Sequence, residues 1–171
     1  MGTADAAREL VDVLDADGTI IATVTRAEMR RRRLRHRCTF VIVRTSSGGV
    51  LIHRRAPDKD LWPDAWDLAV GGVVGAGEEW DHAAERELAE EVGVVGVELE
   101  RLGDGVYVDD SVDEVARIWT VVWDGPISFD DGEVVEACVV EPDELIVRIG
   151  RDRFVPDSLA LCLRFVVDHG A

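Results

Sequence analysis

Gly71-Gly72-Val73-Val74-Gly75-Ala76-Gly77-Glu78, running on through Arg86-Glu87-Leu88-Ala89-Glu90-Glu91-Val92-Gly93-Val94, is the stretch around which the chain is organised. It reads as a glycine loop that becomes a helix. Successive helical residues advance about 100°, so positions i, i+3 and i+4 share a face, and Glu87, Glu90 and Glu91 have that spacing. Like charges on one stripe repel at a cost of a few tenths of a kcal/mol per pair. A hard divalent cation such as Mg²⁺ removes that penalty, because it favours carboxylate oxygens. A solvated acidic face is the other reading of the triplet taken alone. Ala83, Ala84, Leu88 and Val92 form an apolar stripe, expected opposite the carboxylates and docked on a sheet. Glu79-Trp80-Asp81 puts acids where the helix dipole favours them, and Gly93 stands where a C′ glycine ends the helix.

The triplet is not alone. From Gly72 the spacing is Gly, five residues, Glu78, seven residues, Arg86-Glu87, apolar Leu88, one residue, Glu90-Glu91, one residue, Gly93 and apolar Val94. This resembles the Nudix box, GX5EX7REUXEEXGU with U apolar, at every constrained position. With each residue type at roughly 5–7% abundance, such a register arises by chance in well under about one chain in a million. The resemblance implies an α/β protein of the Nudix fold, an αβα sandwich around a mixed β-sheet. It implies that Glu87, Glu90 and Glu91 ligate a divalent metal, Mg²⁺ or Mn²⁺, helped by the Gly71 carbonyl. Glu78 then supports the metal site and Arg86 orients the carboxylates by charge-assisted hydrogen bonds. The implied chemistry is metal-dependent hydrolysis of a diphosphate linkage in a nucleoside diphosphate derivative or similar small diphosphate, by water attack on phosphorus.

Composition sets the frame. A chain of 171 residues, 47% apolar and 32% charged, reads as a single globular domain with a sizeable core. The expected layout is an N-terminal β-hairpin and short helix over 8–37, a core over 38–145 and a C-terminal helix over about 156–168. Lys+Arg 19 against Asp+Glu 35 gives −16, which argues against non-specific binding to nucleic acid or to an anionic membrane. No apolar run reaches the ~20 residues of a membrane span, and Met1-Gly2-Thr3-Ala4-Asp5 lacks the pattern of a signal peptide. Cys38, Cys138 and Cys162 fit buried reduced thiols, and the expected location is cytoplasmic.

Strand formers on either side of Asp15-Ala16-Asp17-Gly18 predict a hairpin over 10–25, and Thr25 with Glu28 predicts a capping box. The basic block Arg30 to Arg37 reads either as a phosphate-recognising segment or as a short solvated helix paired with the protein's surplus carboxylates. Residues 38–43 and 49–55 predict a second hairpin, about Ser46-Ser47-Gly48-Gly49. It ends on Arg54 and Arg55, both candidates for contacting a diphosphate although alternation sends them to different faces. Trp62 and Trp66 are expected to pack over the sheet edge, and Trp66–Val70 to form a strand. Further strands are expected over 94–99, 103–108, 115–123 and 137–140, a short helix around Leu145, and a terminal helix from Pro156.

Outside the box, the order of hairpin, helix, Arg54-Arg55, Trp62-Pro63 and Trp66-Asp67 resembles the Nudix branch that includes isopentenyl-diphosphate isomerase. Those isomerases use a Cys that by register falls at Gly71, where this chain has no thiol, and an acid that falls at Glu114. Glycine cannot transfer a proton, so hydrolysis is the leading expectation, with a ligand-binding or regulatory domain as the alternative and isomerisation last. The general base stays open between Glu87 or Glu90 in the box and Glu114, Glu133 or Glu136 outside it. His53 reads as a satisfied core or surface histidine. Loops 57–66, 104–114 and 124–136 are expected to read the substrate beyond its diphosphate. A homodimer formed through the N-terminal hairpin fits this reading.

Overall fold

The computed structural model describes residues 6–129 and 132–167. Asp130-Asp131 of the acidic loop, the N-terminal Met1–Asp5 and the expected helix end at Asp168 lie outside the described residues. Strands β1 (Leu10–Leu14) and β2 (Ile20–Thr25) pair antiparallel as a separate two-stranded sheet. Asp15 Oδ1 closes their turn by accepting the amides of Asp17 and Thr19, both at 2.9 Å. Helix α1 (Arg26–Arg32) is capped by Thr25, whose hydroxyl accepts the Glu28 amide at 3.2 Å.

The larger sheet contains β3 (His36–Arg44), β4 (Val50–Arg55), β5 (Trp66–Asp67), β6 (Glu100–Val108), β7 (Asp113–Val122) and β8 (Val134–Val140). Its path is β5-β4-β3-β7-β6, with β8 on β4. Among the described strand pairs β3 and β7 run parallel, with His36 opposite Glu114, and the others are antiparallel. The remaining helices are α2 (Trp80–Val92), α3 (Pro142–Ile149) and α4 (Pro156–Val167).

Alternation along the strands builds the two layers. Phe40, Ile42 and Ile118 face one cluster with Met29 of α1, Leu145 of α3 and Cys162 and Val166 of α4. Val41, Val43, Trp119 and Val121 face another with Ala84, Leu88 and Val92 of α2. The result is a mixed sheet between helical layers.

Three expectations are corrected. β3 and β4 pair only at Arg44 and Val50 and then diverge. The segment after β5 takes the vacated edge: Val41 and Val70 exchange amide hydrogen bonds at 2.7 and 3.0 Å, and the Thr39 amide donates to Gly72 O at 2.9 Å. The glycine loop is thereby laid along β3. Residues 94–99 form no strand, because Gly96 (φ +68°) turns the chain, although Val94, Val97 and Leu99 still pack on the α2 layer. Finally, the buried stripe of α2 is Ala83, Ala84, Glu87, Leu88, Glu91 and Val92. Glu87 and Glu91 therefore share the apolar face instead of standing opposite it, and only Glu90 is exposed. Burying Leu88 contributes about 1.5–3 kcal/mol, whereas burying an unpaired carboxylate costs several, so this helix requires positive charge inside.

Candidate active site

The loop and α2 bring Gly71, Gly72, Arg86, Glu87 and Glu90 to the wall of a cavity of about 130 Å³. Arg86 clasps the carboxylates. Its Nε and Nη2 donate to Glu78 Oε1 and Oε2 at 2.9 and 3.1 Å, and Nη1 donates to Glu87 Oε1 at 2.8 Å and Glu90 Oε2 at 3.2 Å. A planar guanidinium has the fixed donor fork this requires, which an ammonium lacks. The Gly75 amide donates to Glu78 Oε2 at 2.8 Å, tying the loop to the helix. Burial pushes the Glu78 carboxyl up, but the Arg86 and Gly75 donors outweigh it and hold its pKa below the ordinary value.

Glu87 lies against Gly72, where an added Cβ would stand 2.6 Å from Glu87 Oε1, so glycine there makes room for the carboxylate. Glu91 sits deeper, off the cavity wall. Lys59 Nζ is 3.4 Å from its Oε1 and His53 Nε2 is 3.7 Å from its Oε2, and that oxygen has no hydrogen-bond partner. Burial, then the Glu91 charge, raises Glu87 to about 7. Burial raises Glu91 to about 7 as well, against the pull of Lys59. Oxygen donors only, one buried oxygen without a donor and two carboxyls raised by burial form a set that a hard divalent cation fits. Arg86 and Lys59 hold these carboxylates on separate counter-charges.

Among the described residues, the group whose ligand atoms converge within 4.8 Å is a different one, His36, Cys38 and Glu114. The parallel β3–β7 register creates it. His36 Nδ1 lies 2.9 Å from Leu34 O and donates to it, and Nε2 is 3.5 Å from Arg30 Nη1. Burial, then the Arg30 charge, pushes the His36 pKa down to about 3, so the ring is neutral. The Arg30 charge also acts on Cys38 and Glu114. A guanidinium thus already supplies the positive charge of this cluster.

Glu114 lines the cavity and is raised to about 7 by burial against the pull of Cys38, Arg30 and Asp157; its Oε1 has no hydrogen-bond partner. Asp157 is held well above the ordinary carboxyl value by burial and then by Glu114, so the two acids compete for one proton. Burial keeps the Cys38 thiol protonated. Asp157 arrives because the amide of Val155 donates to Trp66 O at 2.8 Å, stapling the start of α4 to β5.

Arg54 and Arg55 part company, as strand alternation requires. Arg55 lines the cavity, with Nη1 3.4 Å from Asp67 Oδ2 and two donors 3.3 Å from Leu61 O. Arg54 is not on the cavity wall and lies 3.3 Å from Glu136 and 3.9 Å from Asp64. Glu133 reaches the cavity, where it pairs with Lys59, and Glu136 does not. Trp66 is buried with Arg148 4.1 Å from its ring, while Trp62 lines the cavity. Sequence reasoning missed Arg26, Lys59, Asp67, Cys38 and Asp157 as cavity residues, and left Arg30 open as one of a basic block with either a phosphate or a surface role. The i,i+4 spacing of Arg26 and Arg30 was a readable signal. Asp157 carried none, since an acid in a first helical turn reads as dipole compensation.

These shifts set a pH dependence. Glu87 and Glu91 bind protons more tightly in the folded protein, at about 7, than at the ordinary 4.5 of the unfolded chain. Their contribution favours folding at low pH and is lost as pH rises between those values. The metal-free protein is expected to melt at a lower temperature at pH 8 than at pH 5.5. Mg²⁺ should raise the melting temperature more at pH 8, where the carboxylates are ionised. Thermal melts at both pH values with and without the ion check this, and an ion effect larger at pH 5.5 would refute it.

A glycine loop laid on a mixed sheet, leading into a helix whose arginine clasps acids at a cavity wall, is the arrangement that the box resemblance implies. Residues 34–159 match the NUDIX domain, and the chain belongs to the Nudix family and is a divalent-metal-dependent pyrophosphohydrolase. It is 36% identical over 154 residues to the uncharacterized Nudix hydrolase YfcD of Escherichia coli K12, covering 90% of this chain and 84% of that one. It is 35% identical over 174 residues to the uncharacterized Nudix hydrolase SCO1686 of Streptomyces coelicolor, covering 99% and 95%. The crystal structure of DR0079 from Deinococcus radiodurans is similar at a TM-score of 0.80 and 25% identity, over 93% of this chain and 99% of that one. The NUDIX domain of Shewanella oneidensis NrtR, solved with ADP ribose, shares the fold at a TM-score of 0.64 and 16% identity, over 85% and 99%. Among the described residues no helix is long and apolar enough to cross a membrane.

Proposed function

We propose that the protein is a single Nudix domain that hydrolyses a diphosphate linkage joining a nucleoside diphosphate to a second group, with Mg²⁺ or Mn²⁺ held by Glu87, Glu90, Glu91 and the Gly71 carbonyl. The Arg86 clasp carries this reading: one guanidinium fixes Glu78, Glu87 and Glu90 beside a cavity that also holds Arg55 and Lys59. A bound divalent ion supplies neutralisation of phosphate charge and lowers the pKa of water. Glu78, held ionised, fixes Arg86, and Arg86 fixes the ligand carboxylates. Arg55 binds the diphosphate in the cavity by bidentate hydrogen bonds. Glu114, with a pKa of about 7 and an unpartnered oxygen on the cavity, is the residue we favour as general base near neutral pH. The NrtR domain solved with ADP ribose binds a compound of the proposed kind.

The test is phosphate release from nucleoside diphosphate derivatives, deoxynucleoside triphosphates and prenyl diphosphates, with Mg²⁺ or Mn²⁺ supplied. Release from the first class is expected. Tight binding with no turnover would favour a ligand-binding domain, and double-bond migration without release would favour isomerisation. Within an active pair, Arg55→Ala should raise KM about 10-fold or more, and Arg54→Ala should stay within about 2-fold. Equal losses in steady-state kinetics would show that the cavity is not the diphosphate site.

A further inference from the structure

Helix α1 brings Arg26 and Arg30, one turn apart, to the same cavity as the box. Other arginines of the basic block go elsewhere: Arg32, Arg35 and Arg37 pair with Glu28, Asp113 and Asp12, and Arg33 donates to Asp109 O at 2.8 Å. Past Arg26 and Arg30 a second cavity of about 230 Å³ continues between α1 and the loop after β4, also bordered by Ala27, Asp58, Asp60, Lys59 and Glu133, the last two shared with the first cavity. A ligand filling both cavities is larger than a diphosphate. Arg26 and Arg30 are 20% and 19% exposed, and each makes a single carboxylate contact, to Glu9 at 3.4 Å and to Asp60 at 3.2 Å. The Asp60 side chain is 45% exposed, and its Oδ1 also accepts the Leu61 amide at 2.9 Å. Burial pushes its pKa up, but Arg30, Arg26 and Arg55 outweigh it and hold it below the ordinary carboxyl value. A phosphate, by contrast, takes two parallel N–H donors from a guanidinium in a partly dehydrated cleft.

Building on the diphosphate-hydrolase reading, we propose that Arg26 and Arg30 form a subsite for an additional phosphate beyond the scissile diphosphate, so that the preferred substrates are diphosphate derivatives bearing a further phosphate group. Neither residue belongs to the box, and both enter from the appended β1-β2-α1 unit. That unit therefore sets specificity, while the box sets the reaction.

Binding calorimetry on the full chain tests this without requiring turnover. The probes are pairs differing by one phosphate, with Ca²⁺ present: coenzyme A against dephospho-coenzyme A, NADP⁺ against NAD⁺, and CTP against CDP. In at least one pair the wild type should bind the phosphate-bearing member about 10-fold more tightly. Arg26→Gln and Arg30→Gln should each bring that ratio below about 3, leaving the other member's affinity within about 2-fold. Arg30→Lys keeps the charge without the fork, and should fall between. Melting curves matching the wild type establish that each variant is folded. Absence of discrimination in every pair would overturn the proposal. So would equal weakening of both members, since the arginines would then serve the diphosphate, or discrimination surviving in both variants. Binding with the expected ratio but no phosphate release would instead overturn the hydrolase reading and leave the subsite standing.

Discussion

Glu90→Gln and Glu91→Gln are each expected to lower kcat for phosphate release by about 10³-fold or more, equivalent to about 4 kcal/mol of transition-state stabilisation. Glutamine preserves shape and removes the charge that a divalent cation needs. Stability should separate the two variants from unfolding. Glu90 is exposed, and its neutralisation leaves Arg86 on Glu78 and Glu87. Glu91 is buried with a pKa of about 7, so an uncharged side chain there relieves a cost at pH 8 and should not lower the melting temperature. If both glutamates hold one ion, as proposed, the double variant should be little worse than the poorer single one, because ligands of one ion act as a unit. Metal-dependent phosphate release and melting curves on the three variants check this. A variant that keeps more than about a tenth of wild-type turnover would remove its glutamate from the ligand set.

Gly71→Cys, the change that would supply the isomerase thiol, is expected to damage the protein rather than convert it. A Cβ at position 71 would stand 1.9 Å from Thr39 O and 2.8 Å from Thr39 C, both backbone atoms of β3. Neither can give way as a flexible side chain does. Overpacking against backbone should cost about 3 kcal/mol or more, lowering the melting temperature by roughly 6–12 °C in a chain of this size. Gly71→Ala should lose as much, whereas Gly77→Ala, with nothing within 4 Å, pays only for its positive φ, about 1 kcal/mol. Wild-type melting of Gly71→Cys, or double-bond migration catalysed by it, would revive the isomerase reading. The thiol the cavity does contain, Cys38, is protonated and lies beside Glu114, which does not provide the two opposed proton-transfer groups of an isomerase.

The same positions show how far a one-dimensional reading reaches. The box spacing carries the family, the clasp partners of Arg86 and the helix, because all of these are separated by at most one loop and a few helical turns. The hairpin with its Asp15 turn and the Thr25 cap were legible for the same reason, since short-range hydrogen bonds fix them. The basic block divided in a way that its composition did not reveal. Arg32 pairs on the surface, Arg35 pairs half-buried with Asp113, Arg37 pairs with buried Asp12 under the glycine loop, and Arg30 faces the cavity, a distinction made by the docking of α1 and β3. Likewise, a strand pattern over 94–99 ignored a glycine at positive φ, and a hairpin pattern over 38–55 ignored the competition of residues 66–74 for the edge of β3.

By itself, then, the sequence determined the reaction class, since the carboxylates, their arginine and the glycines that accommodate them sit at fixed short separations. The tertiary structure decided which charges face the cavity. Glu114 meets Cys38 through the parallel pairing of strands about 75 residues apart, and Asp157 comes in on a helix stapled to Trp66. Burial, which depends on everything packed around a side chain, then set their proton affinities and put Glu87 and Glu91 on the apolar face of their own helix. Spacing along a chain fixes local geometry, but the surroundings of a charge come from segments distant in sequence.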